Sequence, residues 1–123
     1  MTQAAILILD DDPPSRELAQ AVFETAGYTV LSAEDGVGLL ERVKAEHPDL
    51  ILMDLQLPYI DGLTLLRQLK ADDETRQIPV VMATAYTLSE LRAKALEAGC
   101  AAYLTKPLDS TLLLKTVATL VKR

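Results

Sequence analysis

The feature that most constrains the fold is the apolar run from Leu50 to Met53, which ends at Asp54. Four apolar residues without an intervening polar residue indicate a strand buried on both faces, as in a parallel sheet. Pro58 soon prevents any continuation of the strand. Taken alone, Asp54 is more readily explained as the start of a turn, because aspartate is a common turn former. At the carboxyl end of a central strand, however, it would lie where open α/β sheets bind ligands.

Other apolar runs surround this strand. They cover residues 6–9, 78–83 and 101–105, with a more polar run at 28–31 that we expect at a sheet edge. Segments with helical spacing of apolar residues lie between them. Their predicted core residues are, helix by helix, Leu18, Val22 and Ala26; Leu39, Leu40 and Val43; Leu65, Leu66 and Leu69; Leu91, Ala95 and Leu96; and Leu113, Val117, Leu120 and Val121. Five strands alternating with five helices predict an α/β fold, a doubly wound parallel sheet with right-handed crossovers and helices on both faces.

Capping residues mark where some helices begin. Asp12 is the expected N-cap of the first helix, and Asp109 is the expected N-cap of the fifth. The segment Thr87–Glu90 fits a capping box ahead of the fourth helix. Residues 32–36 are predicted to form a turn and residues 72–76 a solvated loop.

Length, charge and cysteine content exclude several classes of protein. The 123 residues predict one domain, residues 1–123, without a signal peptide or an apolar stretch that could span a bilayer. A net charge of −6 argues against nucleic acid as a partner, because phosphate backbones bind basic surfaces. The single Cys100 cannot form an internal disulfide, which agrees with a cytoplasmic location.

Polar residues follow four of the five predicted strands. They are Asp10 and Asp11 after the first, Asp54 after the third, Thr84 after the fourth and Lys106 after the fifth. In a flavodoxin-like strand order 2-1-3-4-5 these strand ends are adjacent. Three clustered carboxylates need a cation, and such oxygen ligands suit Mg²⁺. An aspartate can also form an aspartyl-phosphate, with Lys106 offsetting its charge and Thr84 donating a hydrogen bond.

Four segments carry a more specific pattern: ILILDDDP at 6–13, LMDLQLP at 52–58, ATA at 83–85 and YLTKP at 103–107. With them, essentially the whole chain resembles the receiver domains of two-component response regulators, in particular the single-domain receivers of the DivK and CheY type. The resemblance implies a signalling switch rather than an enzyme. A histidine kinase or a histidine phosphotransfer protein would donate the phosphoryl group of a phosphohistidine to Asp54.

The resemblance also implies how individual residues hold the metal and the phosphoryl group. Asp11 and Asp54 would bind Mg²⁺ directly, together with the backbone carbonyl of Gln56, and Asp10 would act mainly through water. Lys106 would contact the phosphoryl group, with a cis peptide bond to Pro107 shaping its loop.

Signal output is implied by the same resemblance. Thr84 and Tyr103 would form the switch pair, in which the hydroxyl moves toward the phosphoryl group and the ring turns inward. Gln56 and Tyr86 would tune hydrolysis, and the bulky ring of Tyr86 favours a long-lived phosphorylated state. The face of the fourth helix, fifth strand and fifth helix would contact a downstream protein, with neither nucleic acid nor membrane as a partner.

Several alternatives stay open. A haloacid-dehalogenase-like phosphohydrolase would use Asp10 as its nucleophile, but Pro14 stands where that family has Thr or Val. A flavodoxin-like FMN-binding module would need a Ser/Thr/Gly-rich loop after the first strand. The chain could also be a receiver excised from a hybrid histidine kinase or a longer regulator, although a stand-alone protein is favoured.

Leu112 and Leu114 are either packing residues or a patch that binds a partner. The sequence is therefore compatible with a monomer and with a weak phosphorylation-linked dimer.

Overall fold

The computed structural model describes residues 3–85 and 88–121. It contains the strands β1 (Ala5–Leu9), β2 (Thr29–Ala33), β3 (Leu50–Met53), β4 (Val80–Thr84) and β5 (Ala102–Thr105). All pair in parallel in one sheet of order β2-β1-β3-β4-β5. This order confirms the flavodoxin-like prediction and places β3 at the centre and the more polar β2 at an edge.

Five helices alternate with the strands and cover both faces of the sheet. They are α1 (Pro13–Thr25), α2 (Leu39–Glu46), α3 (Gly62–Ala71), α4 (Ser89–Glu97) and α5 (Ser110–Leu120). One apolar cluster joins the sheet to α1 and α5, and a second joins its other face to α2, α3 and α4. Within the described ranges, none of the helices combines the length and the apolar character that crossing a membrane requires.

The central strand β3 is buried on both faces, which explains its continuous apolar run. Successive side chains of a strand point to opposite faces of the sheet. Leu50 and Leu52 accordingly belong to the cluster under α1 and α5, whereas Ile51 and Met53 belong to the cluster under the other three helices. All four residues are buried, so neither face of β3 could accept a polar side chain at low cost.

The predicted core stripe of α1 was wrong in part. Leu18 is 54% exposed, and the buried residues are Ala19 and Phe23. The buried stripe therefore lies one residue, about 100° around the helix, from the predicted one. The reason is the Phe23 ring, which fills the cluster under α1 and α5 and packs edge-on against Tyr28 with ring centroids 6.0 Å apart.

The caps of the other helices agree only partly with the predictions. The Asp109 side chain accepts a hydrogen bond from the backbone N–H of Leu112, as expected for an N-cap. The N-cap of α4 is Leu88, which makes no side-chain capping bond, so the predicted capping box is misplaced; its Thr87 lies outside the described residues. Leu96 of α4 is 42% exposed and is not the core residue that the spacing predicted.

Two predicted loops are more ordered than expected. Strand β2 continues to Ala33 because Ser32 and Ala33 pair with Ile8 and Leu9, so the predicted turn begins later. In the segment 72–76, Thr75 is only 1% exposed, and its hydroxyl donates to the Leu69 carbonyl at 2.6 Å. This segment is therefore anchored to the end of α3 rather than fully solvated.

Tyr59, between β3 and α3, has a backbone φ of 72°, in the left-handed region. Its side chain is 85% exposed, so little packing offsets a strain of about 1–2 kcal/mol. We expect Tyr59→Gly to be about 1 kcal/mol more stable to unfolding than Tyr59→Ala, because both remove the ring but only glycine adopts this φ freely. Urea unfolding of the two variants measures the difference. Equal stabilities would show that residue 59 is not left-handed in solution.

Candidate functional site

The ends of three strands meet around the ammonium group of Lys106. Its Nζ lies 2.6 Å from Oδ2 of Asp10 and 2.7 Å from Oδ2 of Asp54. Backbone bonds fix the arrangement: the N–H of Asp54 donates to the Leu9 carbonyl at 3.0 Å, and the N–H of Lys106 donates to the Thr84 carbonyl at 2.8 Å. The structure thus brings together the polar strand ends that the strand order predicts.

Three carboxylates form the acidic part of the site. Asp10, Asp11 and Asp54 each offer an oxygen, and these oxygens lie within 4.8 Å of one another. Asp10 and Asp54 are buried and Asp11 is exposed. Like charges at such distances repel by roughly 3–4 kcal/mol per pair at an effective dielectric constant of about 20. One ammonium group cannot neutralise all three, so the group fits a divalent cation that prefers oxygen ligands.

Backbone donors orient the two buried carboxylates. Oδ1 of Asp54 accepts a hydrogen bond from the N–H of Gln56 at 3.0 Å, while its Oδ2 faces Lys106. Oδ1 of Asp10 accepts from the N–H of Asp12 at 2.9 Å, and its Oδ2 also faces Lys106. Both carboxylates are therefore held in fixed orientations, as a functional site requires.

Lys106 keeps its positive charge in this site. Burial, the largest single influence, lowers the pKa of the ammonium, but hydrogen bonds to Asp10 and Asp54 and the charges of the two carboxylates together raise it above the usual 10.5. A group whose pKa is raised on folding stabilises the fold fully below its unfolded value and loses that effect as the pH rises through the folded value. The ion pairs therefore stabilise the fold throughout the neutral range.

Sequence reasoning missed Arg16, on the first turns of α1. Its Nη1 donates to the backbone carbonyl of Asp10 at 2.7 Å, and its Nη2 lies 3.8 Å from Glu34. The guanidinium thus holds the backbone just after β1, at Asp10. One signal could have revealed it: Arg16 stands four residues after the N-cap Asp12, a spacing that places the two on the same side of the helix.

The proposed switch residues lie deeper than the carboxylates. Thr84 is fully buried at the end of β4, and Tyr103 is 9% exposed and belongs to the core cluster under α2, α3 and α4. Burial is the main reason that the pKa of the Tyr103 phenol is raised, so the hydroxyl is protonated at neutral pH. The ring already points inward here, and its movement on phosphorylation stays a prediction. Tyr86 lies outside the described residues.

The loop after β5 has the expected backbone form. The peptide bond between Lys106 and Pro107 is cis. The N–H of Lys106 donates to Thr84 at the end of β4, and its ammonium group contacts the carboxylates that follow β1 and β3. This one residue therefore connects the ends of three other strands.

A cleft of about 990 Å³ opens over Asp54. Both carboxylates and apolar side chains line it. The carboxylates belong to Asp11, Asp12, Asp54 and Asp61, and the apolar residues are Leu55, Leu57, Pro58, Leu63, Leu88 and Leu91; Gln56 also lines the cleft. The sequence did not reveal the apolar lining of the cleft, because its residues come from three separate segments and each resembles an ordinary core residue.

The sequence matches the family model of the response regulator receiver domain over residues 6–118. It is 34% identical over 113 residues to the polar-differentiation response regulator DivK of Brucella ovis, and the alignment covers 92% of each chain. The match to the family model spans nearly the whole chain, and its range of residues 6–118 includes the four strand ends at the candidate site.

Solved structures give the same result. A putative response regulator from Chloroflexus aurantiacus has a TM-score of 0.94 at 32% identity, covering 99% of this chain and 100% of that one. The receiver domain of the sensor histidine kinase PA1611 from Pseudomonas aeruginosa has a TM-score of 0.89 at 29% identity over 98% of both chains. The crystal structure of that domain has a magnesium ion coordinated in its active site cleft.

Proposed function

The chain belongs to the response regulator receiver domain family, and from that premise we propose that it is a switch activated by phosphorylation of Asp54. A histidine kinase or a histidine phosphotransfer protein donates the phosphoryl group from a phosphohistidine. The observation that carries this proposal is the position of the Lys106 ammonium, which bridges Asp54 and Asp10 at 2.7 and 2.6 Å where parallel strands end.

Asp54 supplies the nucleophile. One carboxylate oxygen forms a bond to phosphorus while the P–N bond of the phosphohistidine breaks, and the electron pair leaves with the imidazole nitrogen. Lys106 stabilises the charge of the transferred group, and the Thr84 hydroxyl donates a hydrogen bond to a phosphoryl oxygen. Lys106 contacts the Asp54 carboxylate before any donor arrives, so no large rearrangement is needed to bring its charge to the reaction.

Mg²⁺ is the cofactor that this set of residues fits. Asp11 and Asp54 would hold it directly with the backbone carbonyl of Gln56, and Asp10 would hold it through water. The bound ion supplies positive charge opposite the phosphoryl oxygens. Support comes from the three carboxylate oxygens within 4.8 Å of one another, whose charge a single ammonium cannot balance.

Phosphorylation changes the surface that a downstream protein contacts. The modification adds a charge of about −1.5 to −2 beside Thr84. We assign the response to the Thr84–Tyr103 pair and to the α4–β5–α5 face, which presents the exposed side chains Leu96 and Leu112. The same face is where a weak dimer of phosphorylated chains would form; otherwise the chain is a monomer.

Other features of the proposal rest on the sequence. We assign residues 1–123 to one receiver domain, which acts in the cytoplasm and catalyses only its own phosphorylation and hydrolysis. Gln56 and Tyr86 set the lifetime of the aspartyl-phosphate. Cys100 is buried and unpaired with another cysteine, which agrees with a reducing compartment.

The test is the intact mass after incubation with acetyl phosphate, with and without Mg²⁺. We expect wild type to gain a single phosphoryl group only when Mg²⁺ is present. Asp54→Asn should gain none, because the amide cannot act as the nucleophile. The expected effect is complete loss of labelling.

Asp61→Asn is the matched control, because Asp61 lines the same cleft but is outside the group of three carboxylates. Asparagine also caps helices as well as aspartate does, so α3 should begin normally. The control should label like wild type. Labelling that persists in Asp54→Asn would overturn the assignment of the phosphoacceptor, and labelling that instead requires Asp10 would favour the haloacid-dehalogenase-like alternative.

A further inference from the structure

We infer that the apolar side chains lining the cleft hold the acyl group of a small phosphodonor, so that Asp54 accepts phosphoryl groups from acyl phosphates with a neutral, apolar acyl chain in preference to acetyl phosphate. The inference rests on the proposed function, because it concerns the same nucleophile. We call the residues Leu57, Pro58, Leu63, Leu88 and Leu91 the apolar wall.

The apolar wall is partly exposed although it adjoins a reactive carboxylate. Leu88 is 62% exposed, and Leu57, Leu63 and Leu91 are half-buried. A ligand that covers exposed apolar surface of this kind removes it from water, which favours binding. An apolar cleft with a few converging polar groups is also the usual form of a small-molecule site.

The geometry of transfer directs the leaving group into this cleft. The attacking and leaving oxygens lie roughly in line through phosphorus. Asp54 is buried, with 8% of its surface exposed, and it lines the cleft. The leaving oxygen must therefore lie further out in the cleft, which the apolar wall lines. The volume of about 990 Å³ leaves room for an acyl chain much longer than acetyl.

The charges around the cleft select a neutral acyl chain. Asp11, Asp12 and Asp61 line it in addition to Asp54. An acyl group with a second carboxylate would be repelled by these side chains.

The reaction balances without a proton transfer. A carboxylate oxygen of Asp54 forms the new O–P bond. The bond between phosphorus and the acyl oxygen breaks, and its electron pair leaves with the carboxylate product. The products are the phosphorylated protein and the free carboxylate of the donor.

Butyryl phosphate and acetyl phosphate are the probes, because their leaving carboxylates have nearly equal basicity and they differ in two methylene groups. Intact mass against time, with Mg²⁺ in excess, gives the rate constant of Asp54 labelling for each donor. Each fully buried methylene is worth about a fourfold change in an equilibrium constant. Since the cleft is open, we expect butyryl phosphate to label wild type about fivefold faster at donor concentrations below saturation.

Leu88→Ser tests the apolar wall, because serine suits the N-cap position that Leu88 occupies and α4 should form normally. It should reduce the butyryl-to-acetyl ratio to between one and two. Leu112→Ser is the control, since Leu112 is similarly exposed at 50% but lies on α5 and does not line the cleft. It should keep the wild-type ratio.

Each outcome decides between the inference and the function on which it rests. Equal labelling of wild type by both donors overturns the inference and leaves the proposed function standing. A ratio that survives in Leu88→Ser overturns the role of the wall. No labelling by either donor overturns the proposed function and the inference with it.

Discussion

Replacing Lys106 by methionine should lower the free energy of unfolding by about 3 kcal/mol in Mg²⁺-free buffer at pH 7. The Lys106 side chain is 16% exposed, and the Asp10 and Asp54 side chains that it bridges are 9% and 10% exposed. Methionine keeps the apolar stem but removes the charge. The carboxylates of Asp10, Asp11 and Asp54 are then close together with no cation among them. Removing one partner of a buried ion pair costs about 3–5 kcal/mol, and we expect the lower end because the cleft admits water.

Urea unfolding of the variant measures this loss, and Mg²⁺ supplies a second readout. A cation bound only by the folded chain raises its stability. Millimolar Mg²⁺ should therefore stabilise Lys106→Met more than wild type, because the ion replaces the missing positive charge. Lys115→Met, which removes an exposed lysine of α5, is the control and should change little. If Lys106→Met were as stable as wild type without Mg²⁺, the ammonium would not be compensating the buried carboxylates.

The fold could be predicted because its central strands carry an unusually simple signal. An unbroken apolar run such as Leu50 to Met53 fits a strand only when both faces are covered, and this requires helices on each side. The stripe of α1 was harder to predict. Leu18 and Val22 have the same spacing as Ala19 and Phe23, and periodicity alone does not show which pair faces the sheet. That choice depends on where the Phe23 ring finds space among distant residues.

The site could be predicted as far as it depends on the backbone. Asp10, Asp54 and Lys106 each directly follow a strand, so the strand order alone brings them together. Contacts that depend on long side chains could not be predicted in the same way. Arg16 reaches the Asp10 carbonyl through three flexible carbon atoms. Its spacing from Asp12 indicates the side of the helix on which it lies, but not that end point. The apolar wall depends on how the loop after β3 and the first turns of α3 and α4 come together, which the sequence alone does not define.

Replacing Gly62 by alanine should lower the free energy of unfolding by about 3 kcal/mol. Gly62 is the first residue of α3, and its N–H donates to the Leu55 carbonyl at 2.9 Å. A Cβ there would overlap the backbone carbonyl oxygen of Asp54 and lie 2.9 Å from the Cα of Leu55. Both neighbours are main-chain atoms of the proposed phosphoacceptor or of the residue after it, so neither can move aside without displacing Asp54. In a helix with free space around the glycine, the same change would stabilise the fold by about 0.5–1 kcal/mol. The sign of the change in the free energy of unfolding therefore tests the contact.

Gly38→Ala is the matched control, because a Cβ at Gly38 has nothing within 4 Å. Its backbone φ of 73° should still cost about 1 kcal/mol, since alanine is strained in the left-handed region.

The two variants should also differ in the rate at which acetyl phosphate labels them. A displacement of about 1 Å at a reacting group can slow a reaction about a hundredfold, so Gly62→Ala should label with acetyl phosphate at least tenfold more slowly, whereas Gly38→Ala should label at the wild-type rate. If Gly62→Ala lost stability but labelled normally, the start of α3 would move independently of Asp54, and the close contact would only support the fold.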